Sequence, residues 1–203
     1  DGPFSSHLDR AEALFLQDRV EFSEAEALME ARTLLGARNS ALRTAGRTEG
    51  KLPTWDFTGK CADGEVYISM TVQGGKPLNM LCSRSVGQVK LSDEEAVDAA
   101  AQYLQKHGFP NMKSSYYMKQ DGVMTVNFAP EIGGVLLYPD LVKVGVALDD
   151  GSEMELVLHR IFEAENGNSY AVLYPPYDDI EEIDMDADDR IMLRAISGNS
   201  RRP

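Results

Sequence analysis

Apolar and polar positions between Leu91 and Asp150 repeat first at helical spacing and then at strand spacing. Ser92 precedes the helical part and Glu95 follows three residues later, which is the pattern of a capping box. The next apolar positions form one helical stripe: Ala96, Ala99, Ala100, Tyr103 and Leu104. Gly108 lies where a left-handed residue is expected to end the helix.

After this helix the apolar period changes to two. One face of the predicted last strand carries Val142, Val144, Val146 and Leu148, and the other carries Lys143, Gly145 and Ala147. One helix followed by a meander of antiparallel strands forms a small α+β unit. The fold class predicted for the chain is therefore α+β.

A similar pattern occurs earlier in the chain. Ser23 and Glu26 form a second capping box, Leu28, Ala31 and Leu35 form a stripe, and Gly36 is the expected stop. The numbering offset from Ser23 to Ser92 is 69, whereas the offset from Asp63-Gly64 to Asp121-Gly122 is 58 and that from Gly74-Gly75 to Gly133-Gly134 is 59. We favour a tandem duplication in which the first copy has about ten extra residues between helix and sheet, a tolerable addition to a loop. Two unrelated segments with common caps and turns are the alternative.

These patterns divide the chain into four parts. Residues 1–20 are a lead-in with a short amphipathic helix within His7–Gln17, residues 21–90 the first unit, residues 91–150 the second, and residues 151–203 an acidic tail with a hairpin at Asn166-Gly167. Arg38–Gly50 is predicted to be an exposed loop. The predicted strands are Pro53–Lys60, Glu65–Val72, Pro77–Val86, Lys113–Lys119, Val123–Phe128, Val135–Tyr138, Leu141–Leu148, Glu153–Phe162, Ser169–Tyr174 and Arg190–Ile196.

Charge narrows the range of partners. The formal net charge of −13 disfavours nucleic acid and anionic membrane surfaces, because binding there depends on Lys and Arg. It suits a basic partner or simple solubility. No run approaches the ~20 apolar residues of a membrane span. Because the chain starts at Asp1 rather than Met, we expect a processed or trimmed piece, and we expect membrane association only through an anchor absent from these residues.

The two cysteines, Cys61 and Cys82, allow two interpretations. They form either a disulfide between strands of the first sheet or two free buried thiols, and we favour the thiols because free Cys packs well as a small hydrophobe. Two cysteines do not determine the redox compartment.

Histidines and serines are the first catalytic candidates. His7, His107 and His159 lie in no metal-binding pattern and are interpreted as structural, His107 as a partial positive charge near a helix C-terminus. Ser83 and Ser85 flank Arg84 without a nucleophile elbow. For Arg84 we favour an ion pair over a buried anchor or a partner contact. The Gly-Gly turns join strand to strand and are not phosphate-binding loops.

Two further sets of residues are candidate binding sites. Asp184, Asp186 and Asp188 match the start of an EF-hand, but Asp189 replaces its Gly and Ala195 its closing Glu, so a solvated acidic loop is favoured over weak calcium binding. Tyr116, Tyr117 and Tyr138 are interpreted as core or edge packing rather than as a groove for a peptide or glycan. We therefore predict no catalytic, cofactor-binding or metal-binding residues.

Several segments resemble a known family: DGPFSSHL from Asp1, LCSRSVGQVKLSDEEA from Leu81, GFPNM from Gly108 and NFAPEIGGVLLYPDLVKVGVALDDG from Asn127. Residues 1 to about 150 resemble PepSY domains, and among them the C-terminal region of the YpeB family of spore germination proteins. The resemblance implies tandem PepSY units. A third unit is expected after Asp150, but the tail instead resembles acidic proteins of the DUF1292 type.

The resemblance also implies a function. The family is non-enzymatic and is made with a germination-specific cortex-lytic enzyme that hydrolyses peptidoglycan, each stabilising the other. PepSY domains have been proposed to restrain peptidases. The implied location is the extracytoplasmic side of the inner spore membrane or the cortex.

Three hypotheses follow. The first, which we prefer, is a module that binds, stabilises or localises that enzyme through exposed sheet edges. The second is a hydrolase of cortex peptidoglycan or peptides, with Asp63 and Glu65 as its candidate carboxylates. The third is a structural spacer. The partner-binding face and the oligomeric state are not predicted.

Overall fold

A computed structural model describes residues 19–36, 41–50, 52–132, 134–136 and 142–158, and the backbone of four further strands. The helices are α1 (Glu24–Leu35) and α2 (Asp93–Lys106). The strands are β1 (Arg43–Thr48), β2 (Thr54–Cys61), β3 (Gly64–Thr71), β4 (Pro77–Cys82), β5 (Met112–Gln120), β6 (Val123–Ile132), β7 (Val135–Leu136), β8 (Val142–Ala147), β9 (Glu153–Leu158), β10 (Phe162–Asn166), β11 (Ser169–Leu173), β12 (Ile180–Met185) and β13 (Ile191–Ala195).

Nine of these strands form one sheet, in the order β1-β2-β3-β4-β9-β8-β6-β5, with β7 paired to β6. All its pairs are antiparallel. The predicted α+β class is confirmed as two helices with a mainly antiparallel sheet. Strands β10 and β11 pair with Asn166 opposite Ser169, which confirms the predicted hairpin, and β12 pairs with β13.

Both predicted capping boxes are present. Ser23 accepts from the backbone N–H of Glu26, whose carboxylate accepts from the N–H of Ser23, and Ser92 and Glu95 do the same for α2. The buried side chains of the two helices correspond one to one at the numbering offset that separates Ser23 from Ser92: Ala27, Ala31, Leu34 and Leu35 in α1, and Ala96, Ala100, Tyr103 and Leu104 in α2.

The same offset continues into the sheet. It relates the first residues of β1 and β5, Arg43 and Met112, and also those of β2 and β6, Thr54 and Val123. The two edge strands β1 and β5 also both have a bulge. Each half of the chain is therefore a helix followed by a four-stranded meander.

At the centre of the sheet the fourth strands of the two meanders, β4 and β9, pair with each other, and the third strands, β3 and β8, flank them. Met80 of β4 lies opposite Leu156 of β9. Their cross-strand neighbours, Ile68 of β3 and Val144 of β8, are separated by as many residues along the chain as Met80 and Leu156 are. This separation is larger than the offset between the helices, so the second half has extra residues between β6 and β8, the part that contains β7. The order and directions of the strands are those of two meanders related by a half-turn about an axis normal to the sheet.

This correspondence corrects two expectations from the sequence. The pairing of Asp63-Gly64 with Asp121-Gly122 was wrong, because the first turn joins β2 to β3 and the second joins β5 to β6. The extra residues expected between the first helix and its sheet are therefore absent. In addition, β9 was assigned to the acidic tail, but its apolar face (Met154, Leu156 and Leu158) is buried between β4 and β8.

The exposed loop predicted for Arg38–Gly50 contains a strand instead. Residues Arg43–Thr48 are mostly exposed, as expected, but they pair with β2 as an edge strand, with a bulge between Thr44 and Gly46. The small and charged residues of this segment do not alternate in hydrophobicity. Its strand conformation therefore shows only in its pairing with β2.

The preference for free thiols was also wrong, because Cys61 and Cys82 form a disulfide. The two residues end β2 and β4, which flank β3, and both side chains belong to the core. The disulfide therefore links β2 to β4 across the intervening strand β3.

Leu156→Ala should destabilise both halves together. Leu156 is fully buried at the pairing of β4 with β9, and truncating such a side chain costs about 2–5 kcal/mol of unfolding free energy. The measurement is urea unfolding followed by fluorescence of Trp55, the only tryptophan, which lies in the first half. Val157→Ala, on the opposite face of the same strand, is the control and should cost less than about 1 kcal/mol. An unchanged transition in Leu156→Ala would show that the halves unfold independently.

Reducing the disulfide, or replacing both cysteines by Ala, should lower the free energy of unfolding by about 3 kcal/mol, since the bridge closes a loop between residues 21 apart. The check is thermal unfolding with and without reductant, together with thiol titration of the denatured, unreduced chain. Two titratable thiols in that sample would contradict the bridge.

Candidate binding face of the sheet

Both helices lie on one face of the sheet. Helix α1 packs on β1, β2 and β3, and α2 packs on β5, β6 and β8. The Tyr103 hydroxyl donates to the carbonyl of Leu34 at 3.1 Å, so the helices meet at residues that are equivalent in the two halves. Beneath them one cross-strand row is fully buried: Phe57, Ile68, Met80, Leu156, Val144 and Val126.

The neighbouring residues of each strand point to the opposite face, which no helix covers among the described residues. This helix-free face is only partly buried. It carries four exposed large apolar or aromatic side chains, Tyr67, Leu81, Tyr116 and Met118, with exposures of 37%, 44%, 52% and 65%. Tyr67 and Leu81 lie next to each other on β3 and β4, whereas Tyr116 and Met118 lie on the edge strand β5, so the exposed side chains form two separate groups.

A groove crosses the first half of this face. Arg43, Thr58, Tyr67 and Leu81 lie directly opposite one another across β1, β2, β3 and β4. They line a cavity of about 590 Å³, at whose rim Lys60 and Glu65 form an exposed ion pair of 3.1 Å. Within the described part of the chain, Arg43 makes no ion pair.

A buried carboxylate supports the groove next to this row. Asp56 is 6% exposed and accepts hydrogen bonds from the hydroxyls of Thr48 (2.6 Å), Thr54 (3.0 Å) and Ser69 (2.7 Å). Ser69 Oγ lies 3.1 Å from the hydroxyl of Tyr67, so this network holds the Tyr67 ring in place. Asp56 is not predictable as a site residue from composition, because aspartate is depleted in strands. The signals near it are the flanking Thr54 and the alternation of Trp55 with Phe57.

The second half has an equivalent row across β5, β6, β8 and β9: Tyr116, Asn127, Lys143 and Val157. The third strand of each half contributes Tyr67 in the first row and Lys143 in the second. The edge strand contributes Arg43 in the first row and Tyr116 in the second. Each row thus contains a cation, a tyrosine and an aliphatic side chain, with the cation and the tyrosine exchanged. Asn127 is 2% exposed, and its Oδ1 has no hydrogen-bond partner among the described residues.

The predicted tyrosines separate onto two faces. Tyr117 is on the helix side, where its hydroxyl donates to Asp93 at 3.1 Å and Lys119 Nζ contacts the same carboxylate at 2.9 Å. The hydrogen bond from Lys119 is the main reason that the pKa of Asp93 is lowered. Tyr116 is half exposed on the helix-free face, and Tyr138 lies outside the described residues.

Arg84 forms the ion pair that was predicted, and its side chain is only 11% exposed. Its guanidinium donates to both carboxylate oxygens of Asp149 at 3.0 and 2.8 Å, to Asp150 at 2.8 Å and to Ser152 at 2.9 Å. The hydrogen bond from Arg84, followed by one from the N–H of Gly87, places the pKa of Asp149 far below its usual value. Arg84 therefore fastens the segment after β4 to the turn between β8 and β9.

The other candidates near Arg84 also make structural contacts. Asp63 accepts from the N–H of Ser85 at 3.0 Å, and Ser83 Oγ accepts from the N–H of Glu65 at 2.9 Å. Hydrogen bonding from Ser85 lowers the pKa of Asp63, the opposite of the shift that suits a general acid. Glu65 pairs with Lys60.

His107 is the C-cap residue of α2, as its predicted position near a helix C-terminus requires, but its surroundings disfavour the predicted partial positive charge. It is half-buried against Tyr103, with ring centroids 4.4 Å apart, and burial, followed by nearby Lys106, lowers its pKa. The neutral form is therefore favoured at pH 7. His7 and His159 lie outside the described residues.

The remaining candidates lie at turns, in β12 or outside the described residues. Gly74-Gly75 forms the turn between β3 and β4, Gly134 lies between β6 and β7, and Asp184 lies in β12, while Asp186, Asp188 and Asp189 are outside the described residues. Within the described ranges, no three His, Cys, Asp or Glu residues are grouped as metal ligands, and no helix is long and apolar enough to cross a bilayer.

Comparisons with known proteins agree on one family. A family model described as YpeB sporulation, PepSY1 and PepSY2 domains matches residues 1–155. The sporulation protein YpeB of Oceanobacillus iheyensis is 28% identical over 144 residues, 70% of this chain and 32% of that protein. The sporulation protein YpeB of Halalkalibacterium halodurans is 35% identical over 85 residues, 42% of this chain and 19% of that protein. The chain spans at most about a third of the length of these relatives.

A solved structure has the same fold. The YpeB C-terminal domain of Bacillus megaterium superposes with a TM-score of 0.65 at 20% sequence identity, covering 85% of each chain.

Asp149→Asn should lower the free energy of unfolding at pH 7 by more than the ~1 kcal/mol of an exposed pair, because it leaves the largely buried Arg84 without its main partner. The folded-state pKa of Asp149 is depressed, so its stabilisation is present above the unfolded-state pKa of about 4 and is lost as the pH falls below it. The variant should therefore lose less stability than the wild type between about pH 5 and pH 2.

The measurement is urea unfolding at several pH values, followed by Trp55 fluorescence. Asp150→Asn is the matched control, because its side chain is 57% exposed and contacts the same guanidinium. Equal pH dependence in the wild type and Asp149→Asn would contradict the assigned role of this pair.

Proposed function

This chain belongs to the YpeB family of sporulation proteins, and from that premise we propose that it is a non-enzymatic binding module. It binds and stabilises a germination-specific cortex-lytic peptidoglycan hydrolase, or holds it in place, and restrains either that enzyme or a protease until germination. We also propose that its two halves are the PepSY1 and PepSY2 units of the family. The residue-by-residue correspondence of the buried helix positions supports this assignment.

The observation that carries the proposal is the helix-free face of the sheet. Both helices lie on one side of the sheet, and on the other side Tyr67, Leu81, Tyr116 and Met118 are exposed. Tyrosine and methionine are enriched in protein interfaces, and exposed apolar side chains gain most from being covered by a partner. The residues first considered for hydrolysis, Asp63, Ser83, Glu65 and Ser85, instead bond to one another's backbone or to a neighbouring Lys.

The disulfide supports a location outside the cytoplasm. Disulfides such as Cys61–Cys82 form and persist in oxidising environments and are rare in the cytosol. We propose that the protein acts on the extracytoplasmic side of the inner spore membrane or in the cortex.

Co-expression tests the proposal. The cortex-lytic enzyme produced with this chain should resist limited proteolysis several-fold longer than the enzyme produced alone, because a bound partner lowers the population of its unfolded state. The control is co-expression with an unrelated acidic protein of the same size. Equal half-lives in all three samples would contradict stabilisation.

Incubation of the purified chain with cortex peptidoglycan tests the non-enzymatic part. We expect no new muropeptides or reducing ends. Their appearance, and their loss on mutation of Asp63 or Glu65, would favour a hydrolase instead.

A further inference from the structure

We propose that the groove formed by Arg43, Thr58, Tyr67 and Leu81 binds an extended, carboxylate-bearing segment of a partner protein. The inference rests on the proposed binding function and specifies its surface and its ligand chemistry. The segment presents an acidic side chain to Arg43 and an apolar side chain to Tyr67 and Leu81.

Charge favours an acidic ligand at this place. The chain has a formal net charge of −13, yet the charges that line this groove sum to a cation, because Lys60 and Glu65 neutralise each other and Arg43 remains. Arg43 is exposed and makes no ion pair among the described residues. A guanidinium binds carboxylates through two parallel hydrogen bonds, so an unpaired Arg beside a groove suits an Asp or Glu side chain.

The floor of the groove favours an apolar neighbour to that acid. Tyr67 and Leu81 lie directly opposite each other on β3 and β4 and are 37% and 44% exposed. The Ser69–Asp56 network fixes the Tyr67 ring before any ligand arrives. A pre-positioned ring loses little conformational entropy on binding, which favours recognition.

The spacing suits an extended peptide. Alternate side chains of a strand point the same way about 7 Å apart, whereas β1 and β3 are two strand spacings, about 9.6 Å, apart, and the long Arg43 side chain spans the difference. A peptide with an acid at one position and an apolar residue two positions later can therefore contact Arg43 on β1 and the Tyr67–Leu81 pair on β3 and β4. The cavity of about 590 Å³ has room for both side chains.

The test is a nuclear magnetic resonance titration of the full chain. The probe is the peptide acetyl-Glu-Ser-Leu-Ser-Glu-Ser-Leu-amide, and its matched control has Gln in place of both Glu residues. We expect the Glu peptide to shift amide signals of β1, β3 and β4, and the Gln peptide to bind at least about tenfold more weakly. Equal binding of the two peptides, or shifts confined to other strands, would overturn the proposal.

Variants give the second readout. Arg43→Glu should weaken the Glu peptide at least about tenfold. Lys113→Glu makes the same charge change on the exposed edge strand at the opposite end of the sheet and should change binding less than about twofold. An unchanged Trp55 fluorescence and unfolding midpoint show that each variant is folded. Equal losses in both variants would indicate general electrostatics and reject the groove.

Two further arms separate the groove from the proposed function. If the wild type and Arg43→Glu protect the cortex-lytic enzyme equally, the groove is not the contact, although stabilisation stands. If the wild type gives no protection, the proposed binding of the enzyme is wrong. The peptide titration still shows whether the groove binds an acidic segment. If a soluble muropeptide displaces the Glu peptide at lower concentration than unlabelled peptide does, the groove is a peptidoglycan site and the protein-segment proposal is rejected.

Discussion

The pairing of β4 with β9 is the constraint on which the rest of the molecule depends. These strands come from different halves, and their three paired positions join two four-stranded meanders into one sheet. At their centre Met80 faces Leu156, and both are fully buried. Without this pairing each half would end in an open sheet edge with exposed backbone donors and acceptors, which proteins normally avoid. The Arg84–Asp149 ion pair adds a polar fastening between the same two regions.

The two helices and their N-terminal caps could be predicted from the sequence, because they depend on local interactions. The capping boxes at Ser23 and Ser92 and the apolar stripes of both helices depend only on residues within a few turns of one another. Strand pairing over long distances does not leave such a signal. The Asp-Gly turns at residues 63 and 121 look alike because many antiparallel hairpins need the same backbone conformation, and this likeness shifted the comparison of the halves by one hairpin. The position of β9 could not be read for a related reason, since its alternation shows a half-buried strand but not its neighbours.

The candidate site was less predictable than the fold. Its residues are 43, 58, 67 and 81, and only the register of four strands brings them into one row. Arg43 lies in a segment whose composition suggested a loop, and Asp56 lies in a strand that its own propensity disfavours. By contrast, an ion pair was the preferred interpretation of Arg84, and the structure confirms it. What was missing was its partner 65 residues away.

The two faces of the sheet are under different constraints, and this difference bears on where recognition occurs. On the helix side the equivalent residues of the two halves remain alike, since Phe57, Ile68 and Met80 match Val126, Val144 and Leu156 in polarity and burial. Close packing against the helices restricts these positions to apolar side chains of compatible volume. On the opposite face no helix restricts the side chains among the described residues, and the equivalents of Tyr67 and Leu81 are Lys143 and Val157. Each row nevertheless contains a cation, a tyrosine and an aliphatic residue, although the cation and the tyrosine occupy different strands in the two halves. Arg and aromatic side chains are enriched in protein interfaces, so this composition is consistent with the binding role proposed above.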